Sequence, residues 1–144
     1  MNIDQYNNLL ELFHNRFKKE KPDQVFLQSL KHSSLKFTWK DVYSNTIKLS
    51  EEISKYIKKG DRCLLISENR PEWMISDLAI MLSGGITVPA YTTYTERDYE
   101  YIIDDCTPSV LIISDKTQYL KVENIIHKKK FIKKIIFFDA IEEF

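Results

Sequence analysis

The chain has 144 residues, 21 basic and 21 acidic side chains, a formal charge of zero and 43% apolar residues. That balance suits one globular domain and offers no net positive field with which to gather nucleic-acid phosphates. Aromatics at 12%, with three glycines and four prolines, exclude collagen-like and disordered chains. The two cysteines, Cys63 and Cys106, are too few for a disulfide framework and point to a reduced, cytoplasmic setting.

Residues 1–5 lack the basic-then-apolar pattern of a secretory signal. The longest apolar runs, 110–113 and 135–138, fall far short of the roughly 18 residues of a membrane span, so any membrane contact is expected to be peripheral.

Residues 4–19 place Tyr6, Leu9, Leu10, Phe13 and Phe17 at helical spacing, with Lys18 and Lys19 at the end and Pro22 as a stop. Residues 24–30 and 35–38 read as two short strands around a hairpin turn at 31–34. Thr38 and Asp41 form a capping-box pattern, with Phe37 and Val42 placed to staple it. The helix that follows shows Val42, Thr46, Leu49, Ile53 and Tyr56 on one face. It is expected to run on to Lys58, Lys59 and a left-handed stop at Gly60.

From residue 62 the pattern alternates between strand and helix. Residues 62–66 read as a strand covered on both faces, because no polar alternation follows Arg62. Pro71 suits the first turn of a helix reaching Leu82, whose second half is apolar almost all round and so expected to be deeply buried. A strand at 86–91 precedes a helix capped by Thr95 and Asp98, stapled by Tyr94 and Tyr99, with Tyr99, Ile102, Ile103 and Cys106 facing inward. Residues 109–114 form the next strand, 115–130 a less periodic helix, and 134–138 a fourth strand. This order predicts a parallel α/β sheet with flanking helices, part of a doubly wound domain, preceded by a helix and a short hairpin. The chain reads as a single partial domain over residues 1–144, with an appendage at 1–38 and an αβ-repeating core at 39–144.

The chemistry is sparse. Gly60, Gly84 and Gly85 are the only glycines, so neither a dinucleotide fingerprint nor a Walker loop exists here. Cys63 and Cys106 read as structural thiols, and His14, His32 and His127 have no metal-ligand spacing. The acidic side chains Glu96, Asp98, Glu100, Asp104 and Asp105 read as a solvated helix face, and the lysines at 128–130, 133 and 134 as a solubilising run. Ligands in parallel sheets gather outside the carboxyl ends of the strands. The candidate rim is therefore Ser67-Glu68-Asn69-Arg70, Tyr91-Thr92-Thr93-Tyr94 and Ser114-Asp115.

Residues 60–73, Gly-Asp-Arg-Cys-Leu-Leu-Ile-Ser-Glu-Asn-Arg-Pro-Glu-Trp, resemble an early signature of the adenylate-forming (AMP-binding) ligases, in their long-chain fatty acid–CoA ligase branch. Asp77-Leu78-Ala79-Ile80, Gly84-Gly85, Val88-Pro89-Ala90-Tyr91 and Tyr101-Ile102-Ile103-Asp104-Asp105 keep that family's order and spacing. Phe37-Thr38-Trp39 is similar to the motif before its first long internal helix. The resemblance implies activation of a fatty acid with ATP and Mg²⁺ to an acyl-adenylate, then transfer to coenzyme A. It also implies that the phosphate loop, the adenine and magnesium motifs and the catalytic lysine belong to sequence further along. The chain is thus expected to be an N-terminal fragment that is inactive alone and needs no cofactor of its own, with no catalytic or metal-binding residue. By spacing from Asp105, Tyr91, Thr92 and Thr93 map to the family's coenzyme A channel rim.

Two other readings compete. One is a stand-alone α/β half-domain that pairs with itself, as a homodimer, or with a partner across an unfinished sheet edge. The other is a receiver-like or flavodoxin-like domain, disfavoured because no acidic cluster or glycine-rich flavin loop follows the first parallel strand.

Overall fold

The computed structural model describes residues 6–30 and 35–139. The expected hairpin turn at 31–34, and Asp4 at the expected start of the first helix, lie outside the described residues. Helix α1 (Leu9–Lys19) starts where the Asn8 side chain accepts a hydrogen bond from the Glu11 amide at 2.8 Å, so Tyr6 precedes the helix instead of joining it. Strands β1 (Val25–Gln28) and β2 (Lys36–Thr38) pair antiparallel; β1 is shorter than the expected 24–30 at both ends, and β2 begins one residue later than expected.

Helix α2 (Trp39–Ile53) carries the capping box in full: the Asp41 amide donates to Thr38 Oγ1, and the Thr38 amide donates to the Asp41 carboxylate. It ends at Ile53 and does not reach Gly60. The Ser50 and Ser54 hydroxyls donate back to the carbonyls of Ile47 and Ser50, and the Lys55 and Tyr56 amides close tighter turns onto Glu52 and Ile53. Lys58 and Lys59 therefore lie outside the helix. Gly60, at φ +89°, belongs to the following turn, where the Asp61 carboxylate accepts from the Lys58 amide.

The main sheet contains β3 (Arg62–Ile66), β4 (Ile86–Ala90), β5 (Val110–Ile113) and β6 (Lys134–Phe137), all parallel in the order β4-β3-β5-β6. Helix α3 (Pro71–Leu82) joins β3 to β4, and α4 (Glu96–Cys106) joins β4 to β5. The chain steps from β3 out to β4, then crosses back over β3 to β5. A single hand of crossover then requires α3 and α4 to lie on opposite faces. They do. Cys63, Leu65, Val110 and Ile112 pack with Ile53, Ala79 and Ile80, whereas Leu64, Ile66, Leu111 and Ile113 pack with Tyr99, Ile103, Tyr119, Val122 and Ile126. The pleat's alternation sorts neighbouring residues of β3 and β5 into two cores.

Two expectations need correction. The region 115–130 forms two short helices, α5 (Lys116–Leu120) and α6 (Glu123–Ile126), separated at Val122. Burying Tyr119, Val122, Ile125 and Ile126 on the sheet outweighs an unbroken helix. Helix α3 buries Leu78, Ala79 and Ile80, but Leu82 is 46% exposed, because it joins neither the core that takes Ala79 and Ile80 nor the one that takes Leu78.

The front elements share a third core with α2 and α3, formed by Phe13, Trp39, Val42, Ile75 and Leu78. Phe26 stacks on Trp39 with ring centroids 3.8 Å apart, and Phe17 on Tyr43 at 4.0 Å. Each such pair adds about 0.5–1.5 kcal/mol beyond area burial.

Leu111→Ala is expected to lower unfolding stability by about 2–5 kcal/mol, since it opens a cavity in the fully buried core with Leu64, Tyr99 and Ile103. Thr38→Ala should cost only about 1 kcal/mol, the value of one cap. Urea titration checks both, and equal losses would contradict the two-faced core.

Candidate functional site

All four parallel strands point their carboxyl ends to one edge, and the loops leaving them collect there. β3 and β5 are neighbours whose outgoing connections run to opposite sides, to β4 and to β6. That reversal opens a crevice between the loops after β3 and β5. A cleft of about 540 Å³ occupies the spot, lined by Glu68, Asn69 and Arg70 from the first loop, Asp115 from the second, Asp139 after β6, and Ser29, Leu30 and Leu35 from the hairpin side. A second cleft of about 310 Å³ lies next to it, lined by Ser67, Asn69, Trp73, Pro89, Ala90 and Tyr91.

Arg70 organises the larger cleft. Its guanidinium donates to both Glu72 oxygens at 3.0 Å and to both Asp139 oxygens at 2.9 and 3.1 Å. Glu68 lies 3.8 Å away, and the cation sits 5.4 Å from the centre of the Phe138 ring. The fork geometry of arginine matches two carboxylates at once, which lysine could not do. The hydrogen bonds to Asp139 and Glu72 hold the guanidinium firmly charged. One side chain thus ties the start of α3 to the segment leaving β6.

The sequence-predicted rim is only partly assembled into these clefts. Tyr91 lines the smaller one and is 71% exposed. Thr92 and Thr93 lie beside it in the same loop but line neither cleft, and the Thr92 carbonyl accepts a hydrogen bond from Lys121. The loop is pinned from beneath: the buried Tyr99 hydroxyl donates to the Tyr91 carbonyl at 2.7 Å, and Tyr94 meets the rings of Tyr91 and Tyr99 edge-on. Burial pushes the Tyr99 phenol from 10.0 up to about 12. Ser67 turns its hydroxyl onto the Glu68 carbonyl, and Asp115 caps α5 by accepting from the Gln118 amide. Asp139 and Trp73 were not among the expected rim residues. Trp73 lies one turn into α3 and reaches the rim only once the helix is placed.

The thiols are structural. Burial raises the Cys63 thiol from 9.0 to about 12, and burial raises the Cys106 thiol as well, against the opposing charge of Arg62. Arg62 donates to the Cys106 carbonyl and the Thr107 hydroxyl, both at 2.7 Å, and so steadies Thr107 in the left-handed region at φ 43°. Among the described residues, no group of three or more His, Cys, Asp or Glu side chains could hold a metal ion.

A family model described as AMP-binding enzyme matches residues 14–143. A long-chain-fatty-acid–CoA ligase of Gallus gallus is 28% identical over 117 residues, covering 79% of this chain and 15% of the relative. A long-chain-fatty-acid–CoA ligase of Bacillus subtilis is 33% identical over 81 residues, covering 56% of this chain and 14% of the relative. Among solved structures, an anthranilate–CoA ligase in complex with anthranoyl-AMP superposes with a TM-score of 0.80 at 21% identity, over 92% of this chain and 25% of that one. The luciferase-like enzyme of the mealworm Zophobas morio superposes with a TM-score of 0.81 at 18% identity, over 98% of this chain and 32% of that one. The chain therefore spans about one seventh of the length of these curated relatives.

Arg70→Ala should cost about 2–3 kcal/mol, because it leaves the Glu72 and Asp139 carboxylates without their charged donor. Asp139→Asn, at an exposed partner, should cost under about 1 kcal/mol; urea midpoints separate the two, and equal effects would contradict the clasp. Alkaline pH should also weaken the fold. Cys63 and Tyr99 keep their protons in the folded chain up to about 12, while the unfolded chain loses them from 9.0 and 10.0. Stability should therefore fall as pH rises from about 9 toward 12. Tyr99→Phe with Cys63→Ser should flatten that decline, measured as melting temperature against pH.

Proposed function

The chain belongs to the AMP-binding enzyme family, and from that premise we propose that it forms the N-terminal portion of a long-chain fatty acid–CoA ligase. In the complete enzyme, ATP would activate a fatty acid to an acyl-adenylate that passes to coenzyme A. The observation that carries this reading is the joint one of family match and placement. Within the family-like segment 67–73, Glu68, Asn69 and Arg70 line the crevice where β3 and β5 diverge, the position at which open α/β sheets bind ligands, and Ser67 and Trp73 line the cleft beside it. The curated relatives named as long-chain-fatty-acid–CoA ligases support the choice of acid.

The residues present do not fit a magnesium triphosphate. A triphosphate cradle uses a glycine-rich loop whose backbone amides face the phosphates, whereas Gly84 closes a helix at φ +83° and the cleft beside Arg70 is lined by the carboxylates of Glu68, Asp115 and Asp139. Adding a side chain at Gly85 would bring a Cβ within 3.0 Å of Ile57 and 3.1 Å of Ile80, so this glycine serves close packing. No adenylation step is assigned to this chain, and the 144-residue polypeptide is proposed to be inactive alone.

The smaller cleft does suit one edge of a coenzyme A channel. Tyr91 and Trp73 offer aromatic faces, Ser67 and Asn69 offer polar groups, and the pinned Tyr91, Thr92 and Thr93 loop would form its rim. These residues would orient the thiol-bearing arm and shield it from water; they donate and accept no proton in the reaction. Two free thiols support a cytoplasmic location.

A second reading has one specific observation in its favour. Ile86 is 51% exposed on β4, the terminal strand of the sheet, where a second copy of the chain could pair.

The test is replacement of the matched segment in the Bacillus subtilis ligase by this chain's own. The folded chimera should form acyl-CoA within about tenfold of the parent, about 1.4 kcal/mol in the barrier, while the 144-residue chain alone yields none. A folded but inactive chimera, with the isolated chain sedimenting as a dimer, would favour the second reading. Acyl-CoA formed by the isolated chain would overturn the proposed inactivity.

A further inference from the structure

The edge of the sheet opposite the clefts carries a different surface. After α6, the chain places His127, Lys128, Lys129, Lys130, Lys133 and Lys134 in eight residues as it turns into β6. The Lys133 amide donates to the Ser109 carbonyl at 2.8 Å, which fixes the run beside the entry to β5, at the amino ends of the strands. A shallow depression there is lined by Ile126, Ile132 and Ile135 together with His127 and four of the five lysines.

Three of those lysines face carboxylates: Lys129 pairs with Asp104, Lys133 lies 3.9 Å from Asp61, and Lys134 lies 3.8 Å from Glu52. Lys128 and Lys130 are exposed and make no ion pair or side-chain hydrogen bond among the described residues. The patch keeps an excess of positive charge although the chain as a whole is neutral. Lys128 also borders a hollow that it shares with Glu96 and Glu100, which leaves Lys130 the lysine of the run farthest from carboxylates, and the far edge is acidic, with Glu68, Asp115 and Asp139 lining the cleft beside Arg70.

We propose that this lysine patch is a docking surface for an anionic lipid bilayer, which it would meet with the cleft edge turned away. Two features favour a bilayer over a nucleic acid. The patch contains no arginine, so it lacks the planar fork that reads phosphates bidentately, whereas flexible lysine point charges suit a fluid anionic surface. Its one aromatic residue, Phe131, packs against the core beside Ile132 and is not presented for base stacking. The acidic far edge adds orientation, because an anionic surface attracts one end of the domain and repels the other. Binding this way depends on the sum of a few screened charges, so it is salt-sensitive.

Co-sedimentation of the full 144-residue chain with phosphatidylcholine vesicles, with and without phosphatidylserine, tests this. Binding is expected only with phosphatidylserine and should disappear at high salt. Each lysine near the surface contributes about fivefold, so Lys128→Gln with Lys130→Gln should weaken partitioning about thirtyfold. Lys18→Gln with Lys36→Gln removes the same charge from the front elements and should change binding little. Binding that ignores phosphatidylserine, equal loss in both double variants, no vesicle binding, or retention on single-stranded RNA in its place would each overturn the proposal.

Discussion

The structure depends on one constraint: β3 and β5 have no polar face. Residues 63–66 and 110–113 are all fully buried, so neither strand can rest one side against water. Helices must cover both faces, and each helical crossover carries the chain back along the sheet, so that each strand runs parallel to the last. Parallel strands all end at the same edge, so the loops after β3, β4, β5 and β6 are brought together without any contact between them being required first. The cleft is a consequence of what the two middle strands cannot tolerate.

At that edge the chain uses charge to finish what burial begins. Burial fixes the strands, but the loop after β3 and the segment after β6 leave the core and need a separate tie. Arg70 supplies it, with its side chain only 18% exposed and hydrogen-bonded to carboxylates on both sides. The Tyr91 loop is tied differently, through the buried Tyr99 hydroxyl and an edge-on cluster of three tyrosines. One wall of the site is ionic and the other aromatic. The amino edge of the sheet carries the lysine run, three of whose members face Asp104, Asp61 and Glu52.

Much of the architecture was legible in the sequence, for local reasons. Thr38 with Asp41 and Thr95 with Asp98 announce helix starts through side chains that reach only three residues, and both boxes are formed. The unbroken apolar runs of β3 and β5 could belong only to strands covered on both faces. Features set by distant contacts were not legible. The expected extension of α2 to Gly60 failed because serine hydroxyls and tight turns ended it early, and the 115–130 helix broke where Val122 was drawn into the sheet. For the site, the Ser67–Arg70 loop was readable as a rim, but its centre was not. The order β4-β3-β5-β6 places the crevice between β3 and β5, and nothing in residue spacing reveals strand order. Asp139 becomes a partner of Arg70 across 69 positions of chain, a relation only the fold creates.

Native-state hydrogen exchange addresses the governing constraint most directly. If the doubly covered middle strands hold the molecule together, amides of 63–66 and 110–113 exchange only through global unfolding and are the slowest in the chain. The edge strands β4 and β6 then exchange faster, through local opening. Middle strands that exchange as fast as the edges, while the fold persists, would contradict the account.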